Sequence, residues 1–548
     1  MAGGNALCAA VIEKRICAVI AQVPFVSGEQ AGSTFESIHE TFLAERGAIQ
    51  QGANSTILFT QIFTAVAAPS PNAFIVQDLG EPGISGWSPL LVQAVLTPIL
   101  ARLSDVLNRK LLVVIPPLFA AAGSFIGAKA VDMIMLIAGN VLVGITLATV
   151  GVATSIPAEV LPLKYRSVAN GVEFLGGTFG AFHLLCSAGL FACYWPKQRP
   201  ELARKGFNNI LWACDHVVCL LYAAGTTLVL MGLAWSSGSY AGRNIHVAVP
   251  VALGIVFTLF FGLYGKQRSS NGICAHVFFQ SGRKFPLSVF MVFVEGWIYF
   301  SAVNTITTQM TFYLAWDSDS LRISIRQLAY FFPTVFTSLV VIWYWTRFKD
   351  IKKPLVLSFG LFLAISCTYI GTKPSWGNVQ YDLNVLSGIA QAGPLTSILV
   401  ATQFTAPHAY LSTATGMAFS TRAIRGAFRI AVLYSITNGH ISSHYNDAVA
   451  EAAMAAGLPI DAVVPLLSII KEGNVIPGID ATIISSAADA EHAVYAKAYG
   501  LAWASIVPFV VIAIVCCALL SDCGALMTEK MEASMEKLPE KLSDEEEA

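Results

Sequence analysis

The stretch SPLLVQAVLTPILARLSDVLNRKLLVVIPPLFAAAGSFIGA, residues 88–128, decides the architecture. Its apolar blocks, at 87–104 and 111–128, each approach the roughly twenty residues that a helix needs to cross a bilayer. Between them Arg102, Asp105, Arg109 and Lys110 crowd into one short polar elbow. Two membrane helices joined by a charged hairpin satisfy this pattern. The strict alternation of a membrane β-barrel is absent.

The same design continues outward. Further apolar blocks lie at 56–77, 132–154, 167–193, 210–235, 246–265, 286–312, 325–346, 355–371, 382–405, 413–438 and 498–520, giving about thirteen spans. Gly and Pro are scattered through them, as membrane helices tolerate. The 548 residues are 55% hydrophobic and only 12% charged, which excludes a soluble globule. With 33 basic against 34 acidic side chains, no field for nucleic acid exists. An all-α polytopic membrane protein follows.

Chemistry that needs a cofactor, a metal or a catalytic cluster has no signature. There is no GxxxxGK[ST] loop, and no gathering of His and acids offers a metal or enzyme constellation. We therefore expect neither enzyme activity nor a resident cofactor. The 11 cysteines fall mostly inside apolar blocks, as at Cys186, Cys219, Cys367, Cys516 and Cys517, and read as small apolar residues. Glu13, Lys14 and Arg15 interrupt what would be the apolar core of a signal peptide. Residues 1–55 and 521–548 read as cytosolic tails.

Lys and Arg concentrate in cytoplasmic loops. Basic groups at 102–110, 164–166, 197–205, 266–284, 347–353 and 530–541 alternate with poor loops except once. The loops at 155–166 and 194–209 are both basic, yet a single block separates them. Residues 167–195 are too few for two full crossings, so charge counts about fourteen spans where hydropathy counts about thirteen. Residues 167–195 then form one long helix that places four basic residues outside, or a compressed or re-entrant pair, or mark an N-terminal bundle short of one helix.

The elbow at 101–110 has a counterpart in Arg347-Phe348-Lys349-Asp350-Ile351-Lys352-Lys353, each with a leading Arg, a central Asp and a basic pair. Two such loops in two halves suggest a duplicated bundle. On these residues the chain resembles the major facilitator superfamily, whose loop between helices 2 and 3 reads approximately GxLxDxxGRR/K. Ala101 and Asn108 stand where that pattern has glycine. The segments PAEVLPLKYR at 157–166, FVEGWIYF at 293–300 and ATGMAFSTRAIRG at 414–426 are similar to the fungal trichothecene efflux pumps, a group within the fourteen-span drug:proton antiporters. That family's helix with a WRW-like start is missing.

The resemblance implies two bundles of six-helix type flanking two linker helices. The expected divisions are a bundle at 56–195, a linker at 196–285, and a second bundle at 286–520 whose 439–497 segment is an extracytoplasmic loop covering the outer mouth. It also implies proton-coupled efflux of small apolar toxins, drugs or metabolites by a monomer in the plasma membrane or an endomembrane. Uptake of a ferric siderophore, or a degenerate scaffold that transports nothing, remains compatible with the same hydropathy.

Charge at membrane depth is costly and marks function. Glu295, about ten residues into its span, is the deepest unpaired acid and the first candidate for proton coupling. Glu173, in the glycine-rich 171–180 stretch that resembles the antiporter motif, is the second. Asp105, Arg109, Lys110, Glu159 and Asp350 read as gating residues at the lobe seam. Gln61, Gln93, Trp297, Tyr299, Asn304, Gln309 and Arg422 are candidates for the substrate cavity, with Gln77 and Gln391 beside them. Arg422, Arg425 and Arg429 share one helix face. Of these, Arg425 and Arg429 read as headgroup anchors, while Arg422 is open between anchor and cavity. Asp215, His216 and His183 read as structural.

Overall fold

The computed structural model describes residues 88–107, 109–128, 132–160, 163, 215–236, 244–268, 273, 275–280, 283–298, 306–317, 320–429, 432–433, 435–463, 480–520 and 524–527. Among them every regular element is helical and no strand occurs. Met1–Gln50 separates from Gln51–Ala548 as a unit of its own, and everything described below lies in the second unit. Glu173, Gln61, Gln77, Tyr299, Asn304, His183 and the short 167–195 segment lie outside the described residues.

The first half begins with α1 (Ser88–Val106), α2 (Arg109–Val114) and α3 (Pro116–Ala128). Proline at 116 interrupts the second span because it has no amide to donate. Thr146 donates to the Pro116 carbonyl at 2.5 Å, tying the break to a neighbouring helix. That neighbour is α4 (Met133–Leu147), capped by Asp132 through the Met135 amide at 2.7 Å, and continued after a turn by α5 (Val150–Val160). Glycines set the helix spacing. A Cβ on Gly123 would lie 2.5 Å from the Gly139 carbonyl, so α3 and α4 touch backbone to backbone.

The linker is a close antiparallel pair, α6 (His216–Ser236) and α7 (Ile245–Arg268). Gly225 packs on Thr258 and Gly254 on Val229, each too tightly to admit a Cβ. Asp215 caps α6 by accepting from the Val218 amide at 3.2 Å, in keeping with its expected structural role.

The second half contains α8 (Val277–Gln280), α9 (Lys284–Gly296), α10 (Thr307–Tyr313), α11 (Ser320–Phe348), α12 (Lys352–Ile370), α13 (Val379–Thr405) and α14 (Leu411–Arg429). A buried apolar core centred on Met291, Trp345, Phe359, Phe362, Tyr369 and Trp503 joins these helices. Within the block read as one span at 286–312, the described residues 297–298 and 306 take the wider π turn, next to α9 and α10.

Residues 439–497 differ from the expected Ala-rich loop. Two long helices, α15 (Ser435–Ala455) and the first part of α16 (Ala481–Leu519), pack together over Tyr445, Val449, Ala453, Ile483 and Ala487. Apolar side chains at helical spacing, large and small, make that contact. At 39 residues α16 is about 58 Å long, nearly twice the hydrocarbon thickness. Its polar first part, with Asp489, Glu491, His492 and Lys497, therefore extends beyond the membrane while 498–519 crosses it.

Among the described residues, nine segments are long and apolar enough to cross a membrane. α14 does not meet that hydropathy, because its Arg422, Arg425 and Arg429 sit among small and polar residues. It earns its place through packing instead.

Candidate functional site

Glu295 ends the regular part of α9, one residue before Gly296. Its side chain is 3% exposed and carries the expected buried carboxylate. The carboxylate is paired, contrary to the reading of an unpaired acid. Arg422 on α14 donates from Nη2 to Glu295 Oε1 at 2.8 Å, and Gln391 on α13 donates from Nε2 to the same oxygen at 2.5 Å. Arg425 Nη1 stands 3.8 Å from Oε2. These four residues come from three helices.

Arg425 is a correction. Its side chain is fully buried, and its Nη1 donates to the Val292 carbonyl instead of reaching headgroups. The absence of a side chain at Gly296 makes this possible, since a Cβ there would occupy the guanidinium's position. The helical spacing of the arginines was legible; what the guanidiniums faced was not. Arg429's side chain lies outside the described residues.

A cavity of about 20 Å³ adjoins the cluster, lined by Glu295 and Arg422 at its polar end and by Val292, Leu395, Ile398, Leu399 and Phe419 elsewhere. That volume accommodates about one water beside polar partners. Trp297, expected in the substrate cavity, stacks on Phe509 at 4.8 Å and packs against α16. Gln93 is half-buried on α1, and Gln309 is exposed on α10. Neither lines this cavity.

The seam between halves forms a second cluster, at the end of the bundle where basic residues gather. Asp105, 4% exposed at the end of α1, reaches across to the start of α14. It accepts from the Thr413 amide at 2.8 Å, the Thr413 hydroxyl at 2.6 Å and the Ser412 amide at 3.3 Å. The carboxylate thus caps a helix of the opposite half, where free amides and the helix dipole favour negative charge. Arg102 lies over the Tyr410 ring at 4.5 Å, and Ser155 meets Ser412 at 2.8 Å. A Cβ on Gly151 would lie 2.7 Å from the Gly416 Cα, so α5 and α14 meet at their backbones. Lys110 and Glu159 are buried nearby. Arg109's side chain lies outside the described residues.

Tyr222 on α6 extends the seam to the linker. Its hydroxyl bonds the Ala94 carbonyl on α1 at 3.0 Å and Ser420 on α14 at 2.5 Å. Asp350, the counterpart of Asp105, acts locally. It accepts from the amides of Lys352 and Lys353 at 3.0 and 3.3 Å and pairs with the Lys353 ammonium at 3.0 Å. Partial burial works to raise its pKa, but these bonds outweigh burial and hold the carboxyl below the usual range.

No family model matches the chain. The chain is similar to the MFS-type transporter prx5 of Penicillium rubens, at 24% identity over 448 residues, covering 74% of this chain and 80% of that protein. A shorter similarity, 39% over 89 residues, covers 16% of this chain and 22% of the class H tetracycline resistance protein of Pasteurella multocida. Among solved structures, the inward-facing, unoccupied bacterial homolog of the human lysosomal transporter Spinster aligns over 88% of this chain and 97% of its own, at 15% identity and a TM-score of 0.47. The chain is a multi-pass membrane protein similar to transporters of the major facilitator type, which are not enzymes.

Proposed function

We propose that this protein exports small, largely apolar molecules in exchange for protons, with Glu295 as the group that takes and releases the proton. The observation that carries the reading is the buried junction of α9, α13 and α14, where a carboxylate, two guanidiniums and an amide meet beside a water-sized cavity. A buried carboxylate of this kind is expensive to keep and marks a working site. A substrate that donates a hydrogen bond to the ionised carboxylate competes with a proton for the same oxygens, and such competition is the condition for exchange. The described cavity is the closed remnant of the pathway; opening the seam would enlarge it. The name of the tetracycline resistance relative supports export.

A second reading has a specific observation in its favour. An anionic substrate, such as a ferric siderophore chelate, would displace Glu295 from Arg422, and the displaced carboxylate would take a proton. Proton and anion would then load together, which gives uptake in one direction. Purified protein in liposomes, with an imposed pH gradient and tetracycline as first probe, separates these readings. Export predicts probe movement against proton movement, and uptake predicts movement with it. Glu295→Gln is expected to abolish gradient-driven flux while leaving downhill exchange of the probe. Unchanged gradient-driven flux in that variant would remove Glu295 from coupling. Absence of flux with tetracycline and with acidic probes would favour a scaffold that transports nothing.

A further inference from the structure

Gln391 is fully buried at mid-length in α13, and its two amide atoms have opposite fortunes. Nε2 donates to Glu295 Oε1 at 2.5 Å, while the buried Oε1 has no hydrogen-bond partner. A buried acceptor left without a donor costs roughly 1–3 kcal/mol, so a site that keeps one has a use for it. The neighbours limit what that use is. Arg422 and Arg425 are donors only and favour the ionised carboxylate, whereas an amide both donates and accepts. The terminal torsion of Gln is broad and roughly two-fold, so exchanging the two atoms needs no rearrangement of the backbone.

We propose that Gln391 is a positioning residue that holds Glu295 in both protonation states by turning its amide over. With the carboxylate ionised, Nε2 donates to it. When a hydronium ion from bulk solvent delivers its proton through the adjacent cavity, one of its O–H bonds breaks as an O–H bond forms on Glu295, and a neutral water returns to solvent. The amide then rotates so that its Oε1 accepts from that O–H, and the ion pair with Arg422 is released. Arg422, 19% exposed at the cavity wall, is then uncovered, while the neutral acid no longer offers the charged oxygens that hold substrate. An apolar residue at 391 would leave the neutral acid with no acceptor, and a lysine would hold only the ion. This inference rests on the reading of Glu295 as the proton site.

Infrared difference spectra of the whole protein in lipid, recorded across a pH titration, test it. Glu295→Gln assigns the carboxyl band that titrates, and Gln391→Leu assigns any side-chain amide band that shifts with it. The proposal expects the two bands to change at the same pH, the amide carbonyl moving as it gains a donor, with Gln391→Asn restoring part of the amide signal. In transport, Gln391→Leu should lower the maximal rate about tenfold with little change in apparent KM. A titrating Glu295 band with no coupled amide band would overturn the role of Gln391 while leaving Glu295 in place. No titrating band at Glu295 would overturn both. Should Gln391→Leu fail to fold, isotope labelling of glutamine side-chain amides in the unaltered chain gives the same reading.

Discussion

At the scale of single residues, two buried carboxylates do different work. Asp105, from a charged elbow, binds amides at the start of α14 and so clasps α1 to it; Glu295, from an apolar block, binds guanidiniums beside a cavity, so it can trade partners. Removing the clasp tests the distinction. Asp105→Ala takes away a cap worth roughly 1–2 kcal/mol, so the ratio of closed to open seam should fall about 5- to 30-fold. Spin labels at Leu111, 56% exposed, and Lys353, whose side chain is 79% exposed, would report a longer distance in the variant. An unchanged distance distribution would deny Asp105 that role. The partners of both acids lie far along the chain: 127 residues separate Glu295 from Arg422, and 308 separate Asp105 from Thr413. Local reading finds a buried acid but not what compensates it.

At the scale of elements, helices were legible because twenty apolar residues have few alternatives in lipid. Their packing was less so. α14 was marked by its arginine spacing, yet its position between α1, α5, α9 and α13 depends on glycines and serines that carry no hydropathy signal. The α15–α16 pair reads as a loop because its alanines and polar residues lack a long apolar run, whereas its contact is made by apolar residues spaced along one face of each helix, such as Tyr445, Val449 and Ile483. His440 and His444, one helical turn apart on α15, stack with ring centres 4.2 Å apart. Burial, then the charges of His444 and Lys497, lower the pKa of His440. Because the folded hairpin disfavours the proton, stability present above about pH 6.5 is lost as pH falls toward the folded value. Protection of the α15 amides, taken relative to the intrinsic exchange rate at each pH, should therefore fall on acidification, and His440→Gln should flatten that dependence. Equal pH profiles for the two proteins would exclude His440 as the cause.

For the whole molecule, the two similar loops are not used alike. One Asp reaches another helix and its counterpart caps its own, a difference that follows from where α14 begins rather than from the loop sequence. Closure at the Asp105 end also depends on backbone contact between Gly151 and Gly416. Gly416→Val would place branched carbons against Ala101 and hold the seam apart. We expect near-normal yield, a persistently longer Leu111–Lys353 distance, and transport reduced at least tenfold; normal transport by a wedged seam would show that closure here is not part of the cycle.

The length of α16 has one more consequence. A polytopic protein buried almost wholly in a detergent belt gives image alignment little to hold, but the polar first part of α16, roughly 25 Å of helix over 481–497 braced by α15, makes a mast continuous with the apolar remainder of the same helix. An antibody fragment gripping that mast would serve as a fiducial, whose orientation reports directly on the half of the molecule that carries it.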